Sequence, residues 1–220
     1  TSGRMVFDWM AIHSMSQAVE RVKWQGRLRN VGQKIDVIPS QEGPLKVWVT
    51  PKEDRRYVIS ADIAEGLSSG AWSVADVLDT SSWEQVAQWR GHCTPIEFAD
   101  VLGDLGAHYN WGTIVPEVNN HGLATCARLS DQGYPSLYVR EEKKEGVNYG
   151  WLTTAKSKIM AINMLAHAIK ALDVKINSEA TLEELKSFVY LETRDQMGAQ
   201  AGSFSDTVMS LAIGIAILSD

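Results

Sequence analysis

Only two cysteines occur in 220 residues, Cys93 and Cys126, far apart and in no C-x-x-C unit. That excludes a disulfide framework and a cysteine-built zinc site, and His92 next to Cys93 has no companion ligands at zinc spacing. A reducing intracellular setting is the expectation. No apolar run approaches the roughly eighteen residues of a membrane span, and the most apolar stretch, Val208 to Leu218, is interrupted by Ser210 and Gly214. The opening TSGRMVF lacks the basic leader and apolar segment of a secretion signal. A G-x-x-x-x-G-K-[ST] phosphate loop is missing as well, so the chain is not expected to hydrolyse ATP. Basic residues are the minority sign: 21 Lys and Arg stand against 27 Asp and Glu, a formal charge of -6. A protein that wraps nucleic acid unaided depends on a cationic excess, so that class is disfavoured. A nuclease is not, because catalytic carboxylates add negative charge locally and bound metal offsets it.

What is present is an ordinary globular composition, 45% apolar and 22% charged, on a chain long enough to bury a sizeable core. The first fifty residues differ from the rest. Arg21, Lys23, Arg27 and Arg29 face only Glu20, and VIPSQEGPLKVWVTP then carries three prolines and a glycine. Residues 1–50 therefore read as an N-terminal arm or interdomain linker, and 51–220 as the domain. From Arg56 the pattern turns regular. YVISAD, AWSVADVLD and WEQVAQWRG read as three strands in an antiparallel meander, although Val86 and Trp89 are out of phase in the third. Thr94 and Pro95 open a helix carrying Phe98, Leu102 and Leu105. A short strand then ends at Pro116 and Glu117, residues 120–131 form a helix, SLYVR forms a strand, and a charged hairpin spans 141–152. A long helix over 154–171, a short one over 179–186, the strand SFVYLE and a closing apolar helix complete an α/β fold, a mixed β-sheet flanked by helices.

Three acids stand out. Asp62 ends the most apolar strand, Glu117 ends the next short one, and Asp206 opens the last helix. A carboxylate leaving a buried strand is costly unless it caps a loop or meets a cation, and an acid in the first turn of a helix is favoured by the exposed N–H groups there. Singly, each position suits a cap or a loop end. Together, two strand-end acids and a helix-start acid can meet at one end of a sheet and bind divalent metal. Oxygen ligands suit Mg²⁺ or Mn²⁺, and two such ions roughly 4 Å apart activate water against a phosphodiester. Asp62, on the central strand, is the expected bridge between the two.

These residues resemble a known family, the C-terminal nuclease domain of the tailed-bacteriophage terminase large subunit. YVISADIAEG is similar to the family's first strand and metal-binding aspartate, which falls on Asp62. VPEVNNHG resembles the second acidic motif, with its glutamate at Glu117, and GSFSDTVMSLAIG resembles the closing motif, with its metal position at Asp206. The resemblance covers roughly residues 45 to 218. One departure is Ser205, which stands where the family often has a second consecutive acid. The resemblance implies a ribonuclease H-like fold and an endonuclease that cuts concatemeric double-stranded viral DNA during genome packaging. It also implies partners: the ATPase domain of the motor, the portal protein and the small terminase subunit. The expected place of action is the host cytoplasm, transiently at the procapsid portal.

Arg140, Lys143, Lys144, Lys156 and Lys158 are the candidates for contacts with the DNA backbone, although the interspersed Glu141, Glu142 and Glu145 equally suit a solvated hairpin. His121, Glu65 and Ser205 are candidates for support around the acids. Trp72, Trp83, Trp89 and Trp111 read as packing residues, and Asp79, Asp100 and Asp104 as solvated acids. Two other readings stay open: a different ribonuclease H-like enzyme of the resolvase or transposase type, and a non-catalytic docking module of the packaging motor.

Overall fold

The computed structural model describes residues 4–32, 34–67, 70–119, 121–143, 146–191 and 197–220. In chain order the helix Trp9–Gln17 (α1) is followed by six strands. These are Trp24–Val31 (β1), Lys34–Pro39 (β2), Leu45–Val47 (β3), Tyr57–Asp62 (β4), Ser73–Asp79 (β5) and Gln85–Gly91 (β6). Pro95–His108 (α2), Thr113–Pro116 (β7) and Gly122–Asp131 (α3) come next, then the strands Val139–Lys143 (β8) and Gly146–Tyr149 (β9). The chain closes with Ala155–Ala171 (α4), Glu179–Lys186 (α5), Phe188–Tyr190 (β10), Met197–Ala199 (β11) and Asp206–Leu218 (α6).

Seven strands form one mixed sheet in the order β2-β1-β3-β6-β5-β4-β7. The meander β4-β5-β6 is antiparallel, as the sequence suggests, and β7 returns parallel to β4. Alternation along these strands sends side chains to two cores. Val58, Leu78 and Val115 face a cluster built with α4 and α6, while Ile59, Ala61, Ala75, Val77 and Ile114 face Phe98, Leu102 and Leu105 of α2. The awkward phase of the third strand has a physical cause. The β5-β6 register shifts between Val77 and Leu78, and this bulge leaves Val86, Ala87 and Trp89 all in the α2-side cluster. Thr94 caps α2 in a reciprocal box with Glu97, with Pro95 in the first turn.

Two expectations are corrected here. Residues 1–50 are not a plain arm, for they supply α1 and three strands, and β3 joins the main sheet on β6. Strands at and near a sheet edge commonly carry charge and proline; the edge strand β2 carries Lys34 and Pro39 and its neighbour β1 carries Arg27 and Arg29, so they imitate a linker. Asp79 is not a solvated acid. It is buried, accepts from the Ser81 and Ser82 amides at 2.8 and 3.3 Å, and lies 3.7 Å from Arg55.

Helix α6 covers one face of the sheet at β4 and β5. Every residue from Thr207 to Ala216 has little or no exposure, as expected of a helix that is apolar on all sides. It packs against α4, β4 and β5, and Gly214 sets the approach: a Cβ there would come within 2.6 Å of both Ser60 Oγ and Leu78 Cδ1. Gly214→Val is therefore expected to destabilise the fold by about 1–3 kcal/mol through overpacking. Chemical denaturation measures it, and an unchanged midpoint would contradict this packing.

Candidate functional site

The parallel pairing of β4 with β7 sets Ser60 beside Val115 and Ala61 beside Pro116. The Glu117 amide continues the ladder by donating to the Ala61 carbonyl at 2.9 Å. One further step puts Asp62 and Glu117 side by side, both at the C-terminal ends of parallel strands, where open α/β sheets place their ligand sites. Each lies an even number of residues from a side chain that faces α6, Asp62 from Val58 and Glu117 from Val115, so both are directed to that face. Their carboxyl groups come within hydrogen-bonding reach of one another.

The electrostatics of the pair are one-sided. Burial pushes the Asp62 carboxyl well above the ordinary range, and Glu117, Asp206 and Glu184 push it further in the same direction. Asp206 opens α6 on the same side. Its carboxyl is also raised, first by burial, while the Trp72 amide and the charges of Arg90 and His92 draw it back down. The Trp72 amide donates to Asp206 Oδ2 at 2.7 Å. Asp62 and Glu117 thus form a contacting pair and Asp206 stands beside them. Among the described residues, no three His, Cys, Asp or Glu side chains close around a single point as the ligands of one ion do.

The supporting candidates divide. His121 Nε2 and Glu65 Oε1 are 3.1 Å apart and bond each other across the exposed rim. Gly122 packs its backbone directly against Glu117, since a Cβ there would lie 1.7 Å from the Glu117 carbonyl oxygen. Ser205 precedes α6 at its cap position without a capping side-chain bond. Of the basic candidates, Arg140 on β8 and Lys156 in the first turn of α4 are exposed, and Lys158 is partly covered. Lys144 and the side chain of Lys143 lie outside the described residues. The β8-β9 ribbon is anchored where Glu117 sits: the Trp151 amide donates to the Pro116 carbonyl, the Val118 amide to the Trp151 carbonyl, and Asn119 Nδ2 to the Thr153 carbonyl. Of the tryptophans read as packing residues, Trp89 is buried but Trp111 is 55% exposed.

Sequence reading missed three polar residues on this side of the sheet, Glu184, Arg90 and Asp76, and gave Trp72 a packing role alone. Glu184 of α5, Arg90 of β6 and Trp72 before β5 surround the start of α6. Asp76 lies fully buried on β5, where Oδ1 accepts from Gln85 Nε2 at 2.6 Å and Gln88 Nε2 at 2.9 Å. Gln85 and Gln88 in turn bind Asn177, Ser178 and Thr181 at the start of α5. Only the glutamines, placed within an otherwise apolar strand, hinted at such a network. A hollow of about 820 Å³ lies between β1, α2 and the turn after α3, and Asp62, Glu117 and Asp206 are not among its lining residues.

Neither a protein-family model nor a curated protein sequence matches the chain. Solved structures do. The large terminase nuclease from thermophilic phage G20c with bound magnesium superposes with a TM-score of 0.69 at 21% identity, covering 98% of each chain. The Thermus phage P74-26 large terminase nuclease domain gives 0.64 at 22% identity over 92% of this chain and 93% of that one. The human cytomegalovirus terminase nuclease domain, soaked with manganese and bound to an inhibitor, gives 0.53 at 9% identity over 98% and 96%. The chain therefore has the ribonuclease H-like fold of the large terminase nuclease domains.

Burial raises the Asp76 carboxyl to about 6, against a partial offset from Ser210, Gln85 and Gln88. Between about pH 4 and 6 the native state keeps a proton there that the unfolded chain has lost, so stability falls as pH rises through that window. The effect is on the order of 3 kcal/mol, at about 1.4 kcal/mol per pH unit. Asp76→Asn does not titrate. Its stability relative to the wild type should therefore rise across this window, as read by denaturation at fixed pH. A difference that is flat with pH would contradict the assignment.

Proposed function

We propose that this chain is a metal-dependent endonuclease that hydrolyses phosphodiester bonds of double-stranded viral DNA during genome packaging, with Asp62, Glu117 and Asp206 holding divalent cations. The observation that carries this reading is the contact of Asp62 with Glu117 at the ends of two parallel strands, where the largest influences on Asp62 all disfavour its charge. Like charges about 4 Å apart repel by about 4 kcal/mol at an effective dielectric near 20. Such a pair is tolerable when a proton is shared or a cation sits between the groups. The donor set is all oxygen, which suits Mg²⁺ or Mn²⁺ better than softer ions.

When bound, the cations (two on this reading) lower the pKa of water and neutralise charge building on the phosphate. The protein's part is placement. Asp62 ends β4, which lies between β7 and β5 in the sheet, and both Glu117 and Asp206 act on its carboxyl, so it is the residue suited to bridge. Glu117 is fixed by its ladder bond to Ala61, and Asp206 by the Trp72 amide. Arg140, Lys156 and Lys158, close in the chain to the ribbon anchored at Glu117, are suited to hold the DNA backbone without reading bases. His121 and Glu65 form a rim contact beside the Glu117 strand. Fold likeness to nucleases named with magnesium and manganese supports this reading, as does the ordered trio of acids. On the sequence resemblance to the terminase family, the partners on this reading are the motor ATPase domain, the portal protein and the small terminase subunit. The place of action is the host cytoplasm, transiently at the procapsid portal; among the described residues, no helix is long and apolar enough to cross a membrane.

Plasmid DNA should be nicked in Mn²⁺ or Mg²⁺, and a chelator should stop the reaction. Asp62→Asn should lower the nicking rate by more than the roughly 10–100-fold typical of residues that only support a ligand. The same substitution removes a buried repulsion, so in chelator it should raise the thermal midpoint above that of the wild type. Cleavage that persists in chelator, or an Asp62→Asn protein that cuts at the wild-type rate, would sink the proposal.

A further inference from the structure

Around the start of α6 the polar side chains form a closed circuit. Glu184, 92% buried, accepts through Oε2 from both the Thr207 amide at 2.9 Å and the Thr207 hydroxyl at 2.6 Å. Its other oxygen lies 3.5 Å from Arg90 Nη2. The Arg90 guanidinium lies 4.4 Å over the Trp72 ring, and the ring of His92 meets the Trp72 ring at 3.9 Å between centroids, tilted by 33°. The Trp72 amide donates to Asp206 Oδ2, and Asp206 is joined by the backbone to Thr207. Each link ends on the next, and the circuit closes on the carboxylate proposed to hold metal.

Each contact constrains something different. The two bonds to Thr207 fix the first turn of α6, the segment from which Asp206 projects, and a carboxylate there is favoured by the helix dipole. The Trp72 amide fixes one oxygen of Asp206 and so limits its rotation. Arg90 ties the two halves together, bridging the Glu184 carboxylate and the Trp72 ring through its planar, permanently charged fork. It also places positive charge near Asp206.

We infer that Glu184 and Arg90 are positioning residues for Asp206, setting its carboxylate where a divalent cation can be shared with Asp62 and Glu117. The inference rests on the metal-binding reading above and goes beyond it, because it assigns a functional part to two residues outside the acidic trio. A purely structural pair would hold α5 to β6 and leave metal affinity alone.

Calorimetric titration of Mn²⁺ into the whole chain separates these cases, run alongside thermal unfolding in chelator. Asp206→Asn, Glu184→Gln and Arg90→Lys are compared with the wild type. Glu184→Gln keeps an acceptor for Thr207, and Arg90→Lys keeps the charge while losing the fork. Both should weaken Mn²⁺ binding by about 10-fold or more, while their midpoints in chelator stay close to the wild-type value. If both bind Mn²⁺ within about twofold of the wild type while Asp206→Asn binds weakly, positioning is overturned and the metal reading stands. If the wild type takes up no Mn²⁺, both fall together. Should Glu184→Gln fail to fold, Arg90→Lys, which touches neither bond to Thr207, decides alone.

Discussion

The parallel pairing of β4 with β7 is the constraint on which the site depends. Antiparallel neighbours would send these two chain ends to opposite edges of the sheet. The parallel ladder ends both strands at the same edge, and the bond from the Glu117 amide to the Ala61 carbonyl carries the register one residue past the last regular pair. Two acids are thereby held in contact on the face covered by α6. No rearrangement of loops is needed to form the pair, because backbone hydrogen bonds set it.

Such a pair opposes folding. Burial and three neighbouring carboxyls all raise Asp62, and Asp76 and Glu184 on the same side of the sheet are raised as well. The offset comes from the apolar mass around them. Helix α6 is covered along nearly its whole length, and Gly214 lets it approach the sheet closely. Polar groups at this interface are met in part by one another: one oxygen of Asp76 accepts from Gln85 and Gln88 and one oxygen of Glu184 from Thr207, while Asp76 Oδ2 and Glu184 Oε1 are buried without a hydrogen-bond partner among the described residues. A strained cluster at a sheet end supported by a dense core is how stability is commonly exchanged for function.

Much of this was legible in the chain itself. YVISADIAEG announces a buried strand ending in an acid, and Pro116-Glu117 and Ser205-Asp206 mark the other two positions. The antiparallel meander, the Thr94 cap and the long helices follow from period and punctuation. Other features left no local signature. β1 and β2 alternate weakly because they are largely exposed at the β2 end of the sheet, and their arginines and proline resemble those of a linker. Glu184 sits in TLEELK, which reads as any exposed helical turn, and its burial arises only because α6 lies against α5. Arg90 looks like a strand-end cation until the fold sets it over Trp72 and beside Glu184. Long-range partners of single polar residues are invisible to periodicity, which registers faces and not neighbours.

The central claim is that these acids gather around divalent metal at the shared end of β4 and β7. Anomalous diffraction from crystals soaked in Mn²⁺ tests it most directly. The account predicts manganese density touching both Asp62 and Glu117, at the roughly 2.0–2.3 Å typical of metal–oxygen bonds, with Asp206 completing the cluster. Well-diffracting soaked crystals with no such peak at these residues, or with manganese bound only elsewhere, would contradict it.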